Sequence, residues 1–469
     1  MVDGYWWLPT TPRWRALGRA FVGQGAIRLL LDEPLREYVM PERGWDAVEL
    51  QTTESALVHG RTREGKDATL FGVAGRNPVY PFGEAREQYR ADLLLLGTHV
   101  AGDEFAEAVA EFDWLEAWLD PSPIVSDDGR REVFALQRVR EEHSKFAVGD
   151  DVLKLTSTAI GRVGDSAVHL DRRSFLEIDL AKPLGLRDII DSRIAPIHDL
   201  LTIALGRPIR LTKLQLRPSG KHSSGRLCEA HFNSVQPRAG DRWADEPSLS
   251  SVLSYSAPTL FTAHPPRVGL DQILATWCQL WERERNAIAL LGTPYHAPFL
   301  YTDHRFASAV QAVEALHGKA RFGPAAGRDV PRESHSDRVE NVRKILEDAV
   351  PEKIDLRTAN WAVNAARSRN DKPFKGKIHD VVRSTGAAGE MILAAAPNFA
   401  DRITGARVGV SHGGASDSLT TEARYWHAEA LLWVGRIRLL TDAGVNDAAD
   451  RACRNSSFQH VVEKIKSSG

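Results

Sequence analysis

Seven apolar residues, Leu419, Ala423, Trp426, Ala430, Trp433, Ile437 and Leu440, follow one another at steps of 4, 3, 4, 3, 4 and 3. That spacing puts all seven on one stripe of an α-helix, and a stripe about six turns long must be buried against other helices. It predicts a helix from Leu419 to Leu440 with one buried face and Asp417 or Ser418 as its N-cap. Shorter stripes precede it. Ile273, Trp277, Leu280 and Trp281 open a helical region near Asp271. Phe306, Val310 and Val313 mark a helix closed by Glu314 and His317. Val339, Val342, Leu346 and Ala349 mark another, and Ile354–Ala366 a third.

The first half has a different period. Short apolar or alternating segments read as strands: Leu17–Val22, Ala26–Leu31, Ala56–Arg61, Ala68–Val73, Arg90–Gly97, Leu153–Ala159, Ala167–Leu170, Ser174–Leu180 and Ile209–Leu216. Gly23, Gly25, Gly65, Gly72 and several prolines punctuate them. One helix is predicted over Gly185–Leu205, lying on the sheet. The fold class is therefore α+β: a β-rich, sandwich-like N-terminal region followed by an all-α bundle. At 469 residues two or three domains are expected. The turn-rich stretch Pro121–Arg131 suggests a β-rich lobe over 1–124, a second β-rich lobe with packed helices over 125–297, and a helical domain over 298–469.

Charge narrows the function. Sixty basic against 62 acidic residues give −2, so any nucleic-acid site has to be a local patch. One such patch runs from Arg357 to Arg383. It holds Arg357, Arg367, Arg369, Lys372, Lys375, Lys377 and Arg383 against Asp371 and Asp380, a local +5 of the kind that contacts phosphates. The three cysteines, Cys228, Cys278 and Cys453, suit a reducing cytosol. The first residues lack the pattern of a signal peptide, and no apolar run reaches 18 residues, so a cytoplasmic protein with no membrane partner is expected.

Three motifs compete for the chemistry. Gly60–Asp67 nearly spells a phosphate-binding loop, but Asp67 replaces the metal-holding hydroxyl and a strand follows where a helix is needed. A hairpin turn is predicted there instead. His222, Cys228 and His231 offer three candidate zinc ligands without a fourth in view, and Cys278 lies on an apolar helix face as a core residue. Arg407 and His412, five residues apart, carry the pair that metal-free RNA cleavage requires. A guanidinium clamps phosphoryl oxygens, and an imidazole moves a proton near neutral pH.

The spacing alone is weak, because Arg138/His143, Arg193/His198, Arg217/His222 and Arg226/His231 share it. Random placement of 46 Arg and 16 His gives roughly 1.6 such pairs. Context selects Arg407/His412. It ends a helix striped by Phe399, Ile403 and Ala406, just before Gly413-Gly414, where the helix C-terminus favours an imidazolium.

In this setting the helical third resembles a HEPN domain of the ApeA type. Arg305-Phe306, Glu314-Ala-Leu-His317, Asn370-Asp-Lys-Pro373-Phe, Lys377-Ile378 and Arg407…His412-Gly413 carry the resemblance. Gly4-Tyr-Trp6-Trp7-Leu8-Pro9, Gly65-Lys66…Thr69-Leu70 and Tyr89-Arg-Ala-Asp…Gly97-Thr-His99 are similar to the ApeA N-terminal region. Val408 departs from the family, which often has a polar residue there, typically Asn.

The resemblance implies a bacterial anti-phage protein acting by abortive infection through a metal-independent endoribonuclease, with no cofactor. RNA, tRNA among the candidates, would be cut by transesterification. His412 would be the general acid/base, Arg407 the phosphate clamp and Ser411 an assistant, with the Arg357–Arg383 patch gripping RNA. HEPN domains usually pair, so a homodimer or larger assembly is expected. The N-terminal region would sense a phage-derived trigger or restrain the nuclease. The alternative is a non-catalytic nucleic-acid-binding or dimerisation scaffold.

Overall fold

The computed structural model describes residues 1–23, 26–33, 35, 55–79, 86–119, 139–163, 168–220, 225–232, 258–263, 269–297, 299–317, 331–350, 353–368, 370, 372–412 and 419–468. Two compact units make up the chain. The first comprises Met1–Leu201, Ile209–Val252 and Thr262–Ala275; the second comprises Thr202–Pro208, Leu253–Phe261 and Thr276–Gly469.

Alternation of buried and outward-facing residues builds the strands of the first unit. Its strands are β1 (Val2–Trp7), β2 (Ala16–Gly23), β3 (Ala26–Leu31), β4 (Ser55–Thr62), β5 (Asp67–Val79), β6 (Arg86–Ala91), β7 (Leu93–Leu96), β8 (Glu104–Phe112), β9 (Val139–Val148), β10 (Asp151–Val163), β11 (Val168–Gly185), β12 (Leu211–Pro218) and β13 (Cys228–Phe232). In β3 the side chains of Ile27, Leu29 and Leu31 are buried while Arg28 points to solvent. Trp6, Ala20, Leu70 and Tyr89 join them in one core cluster.

That core is the inside of a barrel. The strands run β4-β1-β2-β3-β6-β5, and β4 pairs again with β5, from Ser55↔Val73 to Arg61↔Asp67. Six antiparallel strands thus close on themselves and leave no free edge within the ring. Beyond β5 the sheet continues through β7, β13, β12, β8, β11 and β10 to β9. The β-rich region is a closed barrel extended by further strands. Gly60–Asp67 forms the predicted β4–β5 hairpin, with Gly65 at φ +79° in its turn.

Two strand predictions need correction. Arg90–Gly97 is not one strand: β6 ends at Ala91 and β7 begins at Leu93. The Asp92 amide donates to the Phe71 carbonyl (2.9 Å), and Gly72 beside it takes φ +58°. There β5 exchanges one partner, β7, for the other, β6. Conversely, the predicted strands Ala167–Leu170, from Val168 onward, and Ser174–Leu180 belong to a single strand, β11. Continuous pairing with β10, from Val152↔Asp179 to Val163↔Val168, carries the backbone through the charged residues Asp171, Arg172 and Arg173. The predicted stretch Pro121–Arg131 lies outside the described residues.

A short helix, α1 (Leu115–Leu119), follows β8. The helix predicted over Gly185–Leu205 consists of α2 (Leu186–Ile189), one π-helical turn (Ile190–Ile194) and α3 (Ala195–Leu205).

The remaining helices are α4 (Leu270–His296), α5 (Thr302–Leu316), α6 (Arg332–Ala349), α7 (Leu356–Ser368), α8 (Phe374–Arg383), α9 (Ala387–Ala395), α10 (Phe399–His412), α11 (Thr421–Asp442), α12 (Ala448–Arg454) and α13 (Ser456–Ser467). None of the described helices is long and apolar enough to cross a membrane.

The striped helix is α11, and it is buried more completely than one stripe implies. Leu431, Leu432, Val434, Leu439 and even Arg424, His427 and Arg436 are buried together with the predicted positions other than Trp426, which is only partly buried, because α5, α8, α9, α12 and α13 all pack on it. Its N-cap is Thr420, whose hydroxyl accepts from the Ala423 amide (3.1 Å). Asp417 and Ser418, predicted for that role, lie outside the described residues.

Arg436 is 1% exposed, and a buried guanidinium is tolerable only when its donors are met. It donates to the carbonyls of Ile203 (2.7 Å), Ala204 and Pro258, and stacks over Trp433 at 4.8 Å.

Two substitutions test this architecture. A Cβ at Gly4 would meet the Arg61 carbonyl oxygen at 2.3 Å, across the β1–β4 pair that completes the ring. Gly4→Val should therefore cost about 1–3 kcal/mol, read from denaturant unfolding followed by tryptophan fluorescence. Leu431→Ala should lower the urea midpoint of the helical signal by an amount worth about 2–5 kcal/mol.

Candidate functional site

Three helices of the second unit, α5, α8 and α10, meet around one carboxylate. Glu314, in the last turn of α5, accepts from Arg407 of α10 (Nη2–Oε2 3.0 Å) and pairs with Lys377 of α8 (Nζ–Oε1 3.6 Å). The Arg407 guanidinium also lies over the Phe374 ring, 4.2 Å from its centroid. A planar cation resting on an aromatic face and held by a carboxylate is fixed in direction while its other edge stays open. The Arg407 side chain is 39% exposed.

A second pair locks the same helices. His317, which ends α5, donates from Nε2 to the Asp380 carboxylate of α8 (3.0 Å), and Lys372 pairs with that carboxylate too. Burial pushes the Asp380 carboxyl up, but the hydrogen bonds from Lys372 and His317 outweigh it and hold it below the usual aspartate range. Lys375 pairs with Asp401 in the first turn of α10 (2.6 Å).

The local sequence explains the placement. Phe399, Ile403 and Ala406 are buried, which turns Arg407 to the rim of α10. Pro373, as N-cap, fixes where α8 begins and so where Phe374 stands. Val408 is half exposed, so the departure from the family pattern falls on the surface and not in the core.

Ser411 and His412 are the last two residues of α10; their side chains lie outside the described residues, as does Arg369.

The predicted basic patch divides in two. Lys372, Lys375 and Lys377 are engaged by Asp380, Asp401 and Glu314. Arg357, Arg367 and Arg383 are exposed, with no carboxylate partner among the described residues. They are the cations of this stretch open to a polyanion.

Four described members of the rival pairs have other partners. Arg193 binds Asp151 (2.6 Å), and His198 sits between Asp199 and the Ile209 carbonyl. Arg217 pairs with Glu107 (2.7 Å), and His143 bonds Ser157 (2.8 Å). Of the zinc candidates, His222 lies outside the described residues. Cys228 and His231, three apart on β13, point to opposite faces of the strand, and burial pushes the Cys228 thiol up. Cys278 is buried in α4 as predicted.

Glu314, His317, Phe374 and Asp380 were not singled out as site residues. A signal for them exists. Glu-x-x-His at 314–317 and Lys-x-x-Asp at 377–380 share one spacing with reversed polarity, so two packed helices can match them pairwise.

A depressed carboxyl stabilises the fold above its unfolded pKa, and that contribution is lost as the pH falls through the folded value. Lowering the pH below about 4 should therefore remove the Asp380 contribution. Asp380→Asn should cost about 0.5–1.5 kcal/mol at pH 7, discounted for partial exposure, and nothing further in acid. Denaturant midpoints of wild type and variant should converge below that pH.

Known families supply the remaining comparison. The family model for ApeA N-terminal domain 1 matches residues 1–246, and that for Apea-like HEPN matches residues 307–449. A search of the curated proteins and one of the solved structures found no match. The first match covers more than half of the chain, and the second encloses Glu314, Asp380, Arg407 and His412. With a β-rich first region and a helical second one, the chain belongs to the ApeA family and carries a C-terminal HEPN domain.

Proposed function

We propose that the chain is a metal-independent endoribonuclease of bacterial anti-phage defence, acting by abortive infection through its HEPN domain. The observation that carries this reading is the state of Arg407. Its guanidinium is braced by Phe374 and already holds an oxyanion, the Glu314 carboxylate, at the exposed end of α10. A phosphodiester presents the same pair of acceptor oxygens.

In the proposed reaction the ribose 2′-oxygen attacks the adjacent phosphorus and the 5′-oxygen leaves. The products are a 2′,3′-cyclic phosphate and a 5′-hydroxyl. His412 takes the 2′-hydroxyl proton or delivers one to the leaving oxygen. Arg407 neutralises charge on the equatorial oxygens, and Ser411 assists. RNA, tRNA included, is the substrate. Arg357, Arg367 and Arg383 grip its backbone.

The chain works as a homodimer or larger assembly paired through its HEPN domain, which brings two Arg407/His412 sets to one interface. The β-rich region restrains the nuclease until a phage-derived trigger arrives.

The test is total RNA incubated with the purified protein in EDTA. Cleavage should leave 2′,3′-cyclic phosphate ends and fall by about 10²–10⁴-fold in both His412→Ala and Arg407→Ala. Equal cleavage by wild type and variants would reject these residues. Binding of RNA with no cleavage by any form would favour a non-catalytic scaffold.

A further inference from the structure

The outer surface of the barrel carries side chains that the proposed chemistry does not use. Alternation along the strands sends Trp6, Ala20, Ile27, Leu29, Val58 and Tyr89 into the core and their neighbours outward. Cross-strand register then sets the outward residues in rows, each residue beside its partner on the same face. One row is Arg61, Tyr5 and Leu17, across β4, β1 and β2. Another is Phe21, Arg28 and Arg90, across β2, β3 and β6. Between them lie Asp3, Arg19 and Leu30, with Asp3 and Arg19 paired at 3.5 Å. Tyr5 is 52% exposed and Phe21 38%. Arg28, Arg61 and Arg90 are exposed and meet no carboxylate among the described residues.

We propose that this face holds a single strand of RNA. The first reason is a repeated pair. Each exposed ring has an arginine as its direct cross-strand neighbour, Arg61 beside Tyr5 and Arg28 beside Phe21. A ring stacks on a base, and an arginine next to it meets the backbone phosphate. Two such pairs on one continuous surface, about 14 Å apart by strand geometry, match a polymer that alternates base and phosphate.

The second reason is a conflict. Arg28 and Arg90 stand directly opposite each other, and like charges so placed destabilise a sheet. A phosphate lodged between them turns that repulsion into two contacts. The strand has to be unpaired, because bases stacked within a duplex turn no face to a side-chain ring. The choice of RNA rests on the RNA-cleaving reading, since the chain would then grip its substrate with a second surface.

Binding is measured by fluorescence anisotropy on the full chain with a labelled 2′-O-methyl oligouridylate of about 12 nucleotides. The methyl groups block attack by the 2′-oxygen, so affinity is read without cleavage. Tyr5→Ala and Phe21→Ala should each weaken binding about fivefold or more. Arg28→Ala and Arg90→Ala should each flatten the slope of log affinity against log salt by about 0.7. Neither arginine variant should lower the thermal midpoint, because each relieves the facing charge. The oligomer annealed to its complement should bind about tenfold more weakly or worse, and a deoxythymidylate oligomer no more tightly than the RNA. Irradiating wild type with an oligomer that carries 4-thiouridine should crosslink peptides containing Tyr5 or Phe21.

Unchanged affinity in both aromatic variants with wild-type circular dichroism spectra would overturn the proposal, as would crosslinks confined to the HEPN domain. Equal binding of duplex and single strand, or tighter binding of DNA, would also overturn it. Aromatic variants that change the mass in solution but not RNA binding would make this face a protein interface instead. Crosslinks at Tyr5 or Phe21 without cleavage of unmodified RNA by the wild type would reject the nuclease and keep this face. Cleavage with no crosslink there would do the reverse.

Discussion

One carboxylate organises the helical unit's functional end. Glu314 faces two cations from two other helices, Arg407 of α10 and Lys377 of α8, and so fixes the rotation of α5, α8 and α10 about one point. An ion pair at a surface contributes little stability by itself. Its value here is directional: a guanidinium held by an anion on one edge and an aromatic ring on its face has few other ways to point. The Asp380 carboxylate repeats the arrangement one turn further along α8, with His317 and Lys372 as its partners.

Those pairs also change what the basic stretch means. Counted along the chain, seven cations between Arg357 and Arg383 look like one phosphate-binding surface. Folded, Lys375 and Lys377 are held by carboxylates from outside the stretch, in α10 and α5, and Lys372 by Asp380 within it. Open positive charge is left on α7 and at Arg383, so a polyanion meets a smaller set of arginines than the tally suggests.

The scaffold beneath is held by burial. α11 is packed by five helices, and two of the buried polar side chains it carries meet backbone carbonyls. Arg436 donates to carbonyls of 203, 204 and 258, and the His427 Nδ1 donates to the Ala423 carbonyl while its ring stacks on Phe399. Burial holds the His427 pKa below the ordinary histidine value, against the raising effect of that carbonyl and with the help of the nearby Arg402. A neutral imidazole there fits an apolar core. In the barrel the equivalent constraint is geometric: the ring closes only where Gly4 lets β1 approach the Arg61 carbonyl.

The sequence by itself determined which kind of element each segment forms. Periods of two and of 3.6 are local properties, and they place β3 at Ala26–Leu31, the start of α4 near Asp271, the end of α5 at His317 and the stripe of α11. It also singled out Arg407 and His412, because a helix end before two glycines is a local signal. Only the tertiary structure decided what pairs with what. The barrel closure through β4 and β5, the exchange of β5 between β7 and β6 at Asp92, the burial of α11 beyond its stripe and the convergence of Glu314, Phe374 and Arg407 each join residues far apart in the chain. Such contacts depend on how whole elements pack, and no local period encodes that.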